Sequence, residues 1–196
     1  MKKYIVLSVL ALLFALNLRA NEPVKIFKYS IISGINLSKY RNADLKYQTG
    51  FKLGGKMRYD FTSPDRGGFL SSSGLLTMKG GREKDLENIN IRAFYFEIPL
   101  HIGYKHLLNK NLSLFESVGP YAAYGLFGKT EINDNKFNTF SSDKGLKRFN
   151  FGWGINIGFE IKKSYEVILS IDNGCINIYN DNAKTFDVSL CLSYIL

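Results

Sequence analysis

Two histidines, His101 and His106, and two cysteines, Cys175 and Cys191, are the whole supply of imidazoles and thiols in this 196-residue chain. Two histidines without a carboxylate-rich motif around them do not make a metal cluster, and neither a zinc-protease nor a nucleophile-elbow pattern occurs. Long apolar runs are also missing. A spanning helix needs about 20 predominantly apolar residues. The one continuous run, Tyr4 to Leu16, is shorter and follows Lys2 and Lys3, so it reads as a secretory signal ending near Ala20. No cysteine stands directly after that point, which argues against a lipid-anchored start. The Gly-x-Trp of a soluble lipocalin is absent from the first strand region.

Positive charge is in excess, at +9 for the whole chain. Removing residues 1–20 takes away Lys2, Lys3 and Arg19 and no acids, leaving 23 basic against 17 acidic residues. A basic balance invites a nucleic-acid partner, but an exported chain is separated from nucleic acid and these charges form no single stripe. Gly50, Gly55 and Lys56 imitate a phosphate loop, with Met57 where a hydroxyl is required. Gly152, Gly154 and Gly158 imitate a dinucleotide fingerprint, but they lie inside a strand pattern.

That strand pattern dominates the chain. From Phe149 to Ile161 every odd position is large and apolar, and every even one is Asn, Gly or Glu. A period of two puts these sets on opposite faces of a β-strand. The same alternation marks Tyr29–Ser38, Phe51–Phe61, Phe69–Met78, Ile91–Lys105, Leu112–Phe127, Tyr165–Ile176 and Thr185–Leu196. Eight strands result, joined by connections that alternate long and short. Short turns at one end, longer loops at the other and an even strand count are the habit of outer-membrane barrels. The expectation is therefore a signal peptide over 1–20 and, over 21–196, an all-β, eight-stranded antiparallel up-and-down transmembrane barrel. Its apolar face meets lipid and its polar face lines the lumen. Slipping the second strand by one residue would turn Lys52, Lys56 and Arg58 toward lipid, at roughly 2–4 kcal/mol each near the midplane.

Phe96-Glu97-Ile98-Pro99-Leu100, Gly119-Pro120-Tyr121 and the terminal strand Leu190–Leu196 resemble the small outer-membrane β-barrel family of the Bacteroidetes type, to which PorT-like proteins belong. The resemblance covers the region after the signal. It implies a cell outer membrane location, and as an alternative role a component of a protein-secretion apparatus. It brings no catalytic residues.

Eight strands leave an interior that side chains fill, so the inward charges are expected to form a luminal polar network of Lys52, Lys56, Arg58, Glu97, His101, Glu160, Glu166 and Asp172. Glu97 is expected to face Lys56 or Arg58. Glu97 and His101 together could also do acid–base chemistry, but the network is the better reading. No enzyme activity, cofactor or metal is expected. The expected partners of a monomeric barrel are outer-membrane lipid and lipopolysaccharide. A protein partner is also expected at the loop 128–148, where Phe137 and Phe140 would stand exposed, and no nucleic acid. Cys175 and Cys191 are expected to stay unpaired, because antiparallel register sets them about five residues apart along the ladder, roughly 16 Å, beyond a disulfide's reach.

Overall fold

A computed structural model of the chain describes residues 26–42, 45–61, 63–83, 89–133, 135–140, 145–178 and 183–196, and the expected signal segment lies outside them. The alternating stretches form β1 (Ile26–Arg41), β2 (Gln48–Asp60), β3 (Gly67–Glu83), β4 (Ile89–Asn109), β5 (Leu112–Ile132), β7 (Phe149–Ile161), β8 (Tyr165–Gly174) and β9 (Lys184–Ile195), with a short β6 (Asn135–Asn138). Each of the eight long strands pairs antiparallel with its neighbours in sequence. β9 pairs back onto β1, from Ser30 opposite Ile195 to Arg41 opposite Lys184. The barrel is therefore closed and up-and-down, and its wall has no free edge.

The strand faces are inverted relative to a soluble barrel. Ile35, Phe51, Leu53, Phe151, Trp153, Ile157, Leu190 and Leu192 are exposed, while Lys52, Arg58, Lys79, Glu97, Glu160 and Glu166 are buried. A lipocalin-like barrel keeps its apolar set inside; here the apolar set coats the outer wall, as a bilayer requires. At the short-turn end β1 begins and β9 ends, and β2–β3, β4–β5 and β7–β8 are joined. Only two residues, Lys110 and Asn111, separate β4 from β5.

Several strand ends differ from the sequence expectation, and those of β3 and β5 bear on the lumen and its mouth. β3 continues past Met78 to Glu83, and so carries Lys79 into the barrel instead of into a loop. The stretch 128–148, expected as a polar loop, is partly ordered as sheet. β5 runs on to Ile132 and turns back into β6, with Lys129 opposite Asn138 and Ile132 opposite Asn135. Phe140 is not exposed as expected. It is 7% accessible and packs edge-on against Tyr95, with ring centroids 5.6 Å apart, whereas Phe137 is 52% accessible. A ring at the mouth of the barrel removes more apolar surface by turning inward than by remaining in water.

β4 and β5 are 21 residues each, about twice the 9–11 that a tilted strand needs to cross a bilayer. With the end of β3 and with β6 they rise as a tongue at the long-loop end.

Candidate functional site

The lumen holds the chain's concentrated chemistry. All eight residues named from the sequence lie on its inner face. On β2 the inward positions run Lys52, Gly54, Lys56, Arg58, and on β8 they run Glu166, Ile168, Ser170, Asp172. Cations on one strand meet carboxylates on the other across the barrel.

Near the short turns, Arg58 is the centre. Its Nη1 donates to Glu166 Oε1 at 2.8 Å, its Nη2 donates to Glu160 Oε2, and its Nε lies 3.2 Å from Asp60 Oδ1. Lys56 Nζ donates to the other oxygen of Glu166 at 2.7 Å, and Lys105 Nζ donates to Glu160 at 3.2 Å. Below this cluster the β2–β3 turn folds over the opening. Lys28 and Lys105 both donate to the carbonyl of Pro64, and Lys163 of the β7–β8 turn pairs with Asp65 at 2.6 Å.

Nearer the long loops, Lys52 Nζ sits 2.6 Å from Asp172, 2.8 Å from Asp187 and 3.7 Å from Glu97, and Lys79 Nζ donates to Glu97. Asn36 Nδ2 donates to Asp187 Oδ1. Glu97 therefore does not face Lys56 or Arg58 as expected. Those two cations are taken by Glu160 and Glu166, and Glu97 meets Lys79 and Lys52. Alternation that ends at Met78 leaves Lys79 in a connection, so the sequence does not offer the partner that Glu97 takes.

An apolar layer of Ile32, Phe69, Leu75, Phe115, Ile168 and Cys191 separates the two clusters. Beside it a cavity of about 40 Å³ is lined by Lys52, Lys56, His101, Asn156 and Asp172 among others. That is room for no more than a few water molecules. His101 Nδ1 lies 2.7 Å from Asn156 Nδ2, and its Nε2 has no protein partner. The acid–base pair weighed from the sequence is not assembled, because the Glu97 carboxylate is held by two lysines and the imidazole by an amide.

The glycines of β7 make this filling feasible. A Cβ at Gly158 would lie 2.6 Å from the Phe115 ring, and one at Gly152 would lie 2.7 Å from the Tyr121 ring. At the long-loop mouth Tyr121 exchanges a hydrogen bond with Thr185 at 3.1 Å, and Asn150 donates to Thr185 at 2.9 Å. Above them Ala93, Tyr95, Ala123 and Phe140 pack together, and Tyr40, Ile178 and Ala183 form a second cap.

The network expected from the sequence leaves out Lys28, Lys79 and Asp187, and also Asp60 and Lys105, although alternation puts these last two on the inward face. Parity along β1, β2, β3, β4 and β9 would have found each, since each keeps step with an inward neighbour. With these five, six luminal cations (Lys28, Lys52, Lys56, Arg58, Lys79, Lys105) face six carboxylates (Asp60, Glu97, Glu160, Glu166, Asp172, Asp187). Both cysteines are free; Cys191 faces the lumen opposite Ile168, and Cys175 is exposed beyond the end of β8.

Similar solved structures include Ail, the attachment invasion locus protein of Yersinia pestis, at 18% identity and TM-score 0.48, with 86% of this chain and 99% of that chain covered. Neisserial surface protein A is 9% identical at TM-score 0.47, covering 86% and 96%. The N-terminal barrel of Pseudomonas aeruginosa OprF is 12% identical at TM-score 0.43, covering 86% and 97%. No curated protein matches the sequence. The model of the outer membrane protein beta-barrel domain matches residues 19–179, and with the inverted wall and the closed topology already described, the chain belongs to that family and is a protein of the cell outer membrane.

Proposed function

We propose that this barrel is a closed, non-enzymatic outer-membrane scaffold whose lumen is structural and whose long-loop end meets partners. The observation that carries the reading is the continuity of the filling. From the Pro64 turn through two ion-pair clusters to Phe140 and Ile178, described side chains succeed one another along the lumen, and the cavity beside the apolar layer holds only about 40 Å³. A pore needs a continuous aqueous path, and each buried charge here is spent on an opposite charge instead of on water. Ordered sheet above the membrane, in the β5–β6 hairpin, suits a surface that presents itself to a partner. The signal segment 1–20 fits export to this location.

The test is electrical. Purified barrel in a planar bilayer should give no stable open level, and a steady, large wild-type conductance would overturn the reading. A deletion strain adds a second readout. Unimpaired secretion of exported proteins is expected, and its loss would instead favour a part in a secretion apparatus, as PorT-like resemblance implies.

A further inference from the structure

The outer face of the tongue formed by β3, β4, β5 and β6 carries a charge arrangement that the wall does not neutralise. Register puts Arg92 of β4 directly opposite Lys129 of β5, and both are exposed. Like charges directly opposed across a ladder repel at Cβ separations of about 4.5–5.5 Å and destabilise the pair. The row continues to Gly80 on one side and Asn138 on the other, so no acid stands in it. Arg82, one step higher on β3, is a third exposed cation. Glu131 is the acid of this face among the described residues, and it lies 3.5 Å from Lys136. Among the described residues Arg82, Arg92 and Lys129 make no ion pair.

One step toward the membrane, about 7 Å at strand rise, the same row positions hold Met78, Phe94 and Phe127. The two rings stack at 4.6 Å and 25°, and Phe51 meets Phe94 edge-on at 6.0 Å. Phe127 is exposed. A cation pair that no described acid neutralises thus lies immediately above a lipid-facing aromatic row, at the end of the barrel that carries the long loops and so faces outward.

We propose that this face binds the phosphorylated headgroup of an outer-leaflet lipid, of the lipid A type, with Arg92 and Lys129 taking a phosphate and Phe94 and Phe127 lying along an acyl chain. The guanidinium gives a phosphate two parallel donors and the lysine adds a second charge, so one dianion removes the repulsion built into the ladder. An acidic protein would satisfy the cations equally well but would leave the aromatic row without a counterpart. The continuity of the two rows therefore selects a lipid. The proposal rests on the reading of the chain as an outer-membrane barrel.

The test uses the folded, purified protein in a neutral detergent, with bound lipid counted by native mass spectrometry. The titrants are bisphosphorylated lipid A, the same lipid with its phosphates removed, inorganic phosphate and polyglutamate. Wild type should retain bisphosphorylated lipid A at least tenfold more tightly than R92Q/K129Q, while K110Q/K162Q, altered in the turns at the far end, should match wild type. Equal retention by R92Q/K129Q, an equal loss in K110Q/K162Q, or equal binding of the dephosphorylated lipid, inorganic phosphate or polyglutamate would each overturn the site. Without lipid A, R92Q/K129Q should be at least as resistant to urea as wild type, since it removes a repulsion. A clear loss of resistance would mark the two cations as structural instead. Folding is read separately from heat-modifiable gel migration, and a wild type lacking that shift would sink the barrel reading and the site together.

Discussion

A charge inside a barrel wall is tolerable only while its partners are present, and Arg58 has three of them in Asp60, Glu160 and Glu166. Arg58→Met removes the cation and leaves those carboxylates in excess, and breaking buried pairs in this way costs about 3–5 kcal/mol. Glu97→Gln strands Lys79, which among the described residues pairs with Glu97 alone, and should act in the same direction. Lys110→Gln, on an exposed turn, should leave stability unchanged. Urea titration of the folded barrel, followed by Trp153 fluorescence, ranks the three; equal midpoints for Arg58→Met and Lys110→Gln would mean the lumen pairs contribute nothing. The cysteines give a second check at this scale. Cys175 should alkylate in the native protein without a reductant, and Cys191 only after unfolding. At the short-turn end, the hydrogen bond from Lys163 holds the Asp65 carboxyl below its ordinary range. A depressed carboxyl contributes fully above its unfolded value, near pH 4, and loses its contribution as the pH falls through the folded value. The pair is open to water, with Lys163 55% and Asp65 37% accessible, so the effect on stability is small, and Asp65→Asn should abolish it in an acid titration.

At the scale of elements, turns and mouths decide what the strands alone leave open. The β7–β8 turn places Lys162 and Lys163 at φ 51° and 59°, both left-handed. Two successive left-handed residues make a type I′ turn, closed here by the Ser164 N–H donating to the Ile161 carbonyl at 3.2 Å, and that conformation favours Gly or Asn. A non-glycine residue there costs about 1–2 kcal/mol, so Lys162→Gly should stabilise the barrel by about 1 kcal/mol after glycine's own entropic penalty. An unchanged or lower unfolding midpoint would show that the strain is relieved elsewhere. At the other mouth, Phe140→Ala should cost about 3–5 kcal/mol, the range for a buried aromatic, while Phe137→Ala should be silent. The same pair of variants separates a cap from a display loop, because only Phe140 closes on Tyr95.

For the whole molecule, the faces are reversed from those of a soluble barrel, and lipid supplies the apolar surroundings that a core would otherwise provide. Closure pairs the strands all the way round, so the folded barrel should resist detergent and run at a different apparent size before and after boiling. Recovery from the periplasmic soluble fraction would contradict this. Among the described residues six luminal cations face six carboxylates, so their formal charges cancel. The positive excess is left to the ends and loops, where Arg82, Arg92 and Lys129 lie.

The sequence by itself determined which residues face in and which face out. A period of two has only two solutions, and lipid rejects the one that exposes Lys52, Lys56 and Arg58. It also determined closure by eight strands and the separation of the cysteines, since both follow from counting along antiparallel ladders. Only the tertiary structure decided which opposite charges meet. Pairing across a lumen depends on strand stagger and on how far each strand runs, and neither is written in local alternation. Lys79 became the partner of Glu97 because β3 extends past Met78, and Phe140 became a cap because the hairpin after β5 turns it over the mouth. Those contacts join residues distant in sequence, and their energies are set by burial and distance that no single stretch of chain encodes.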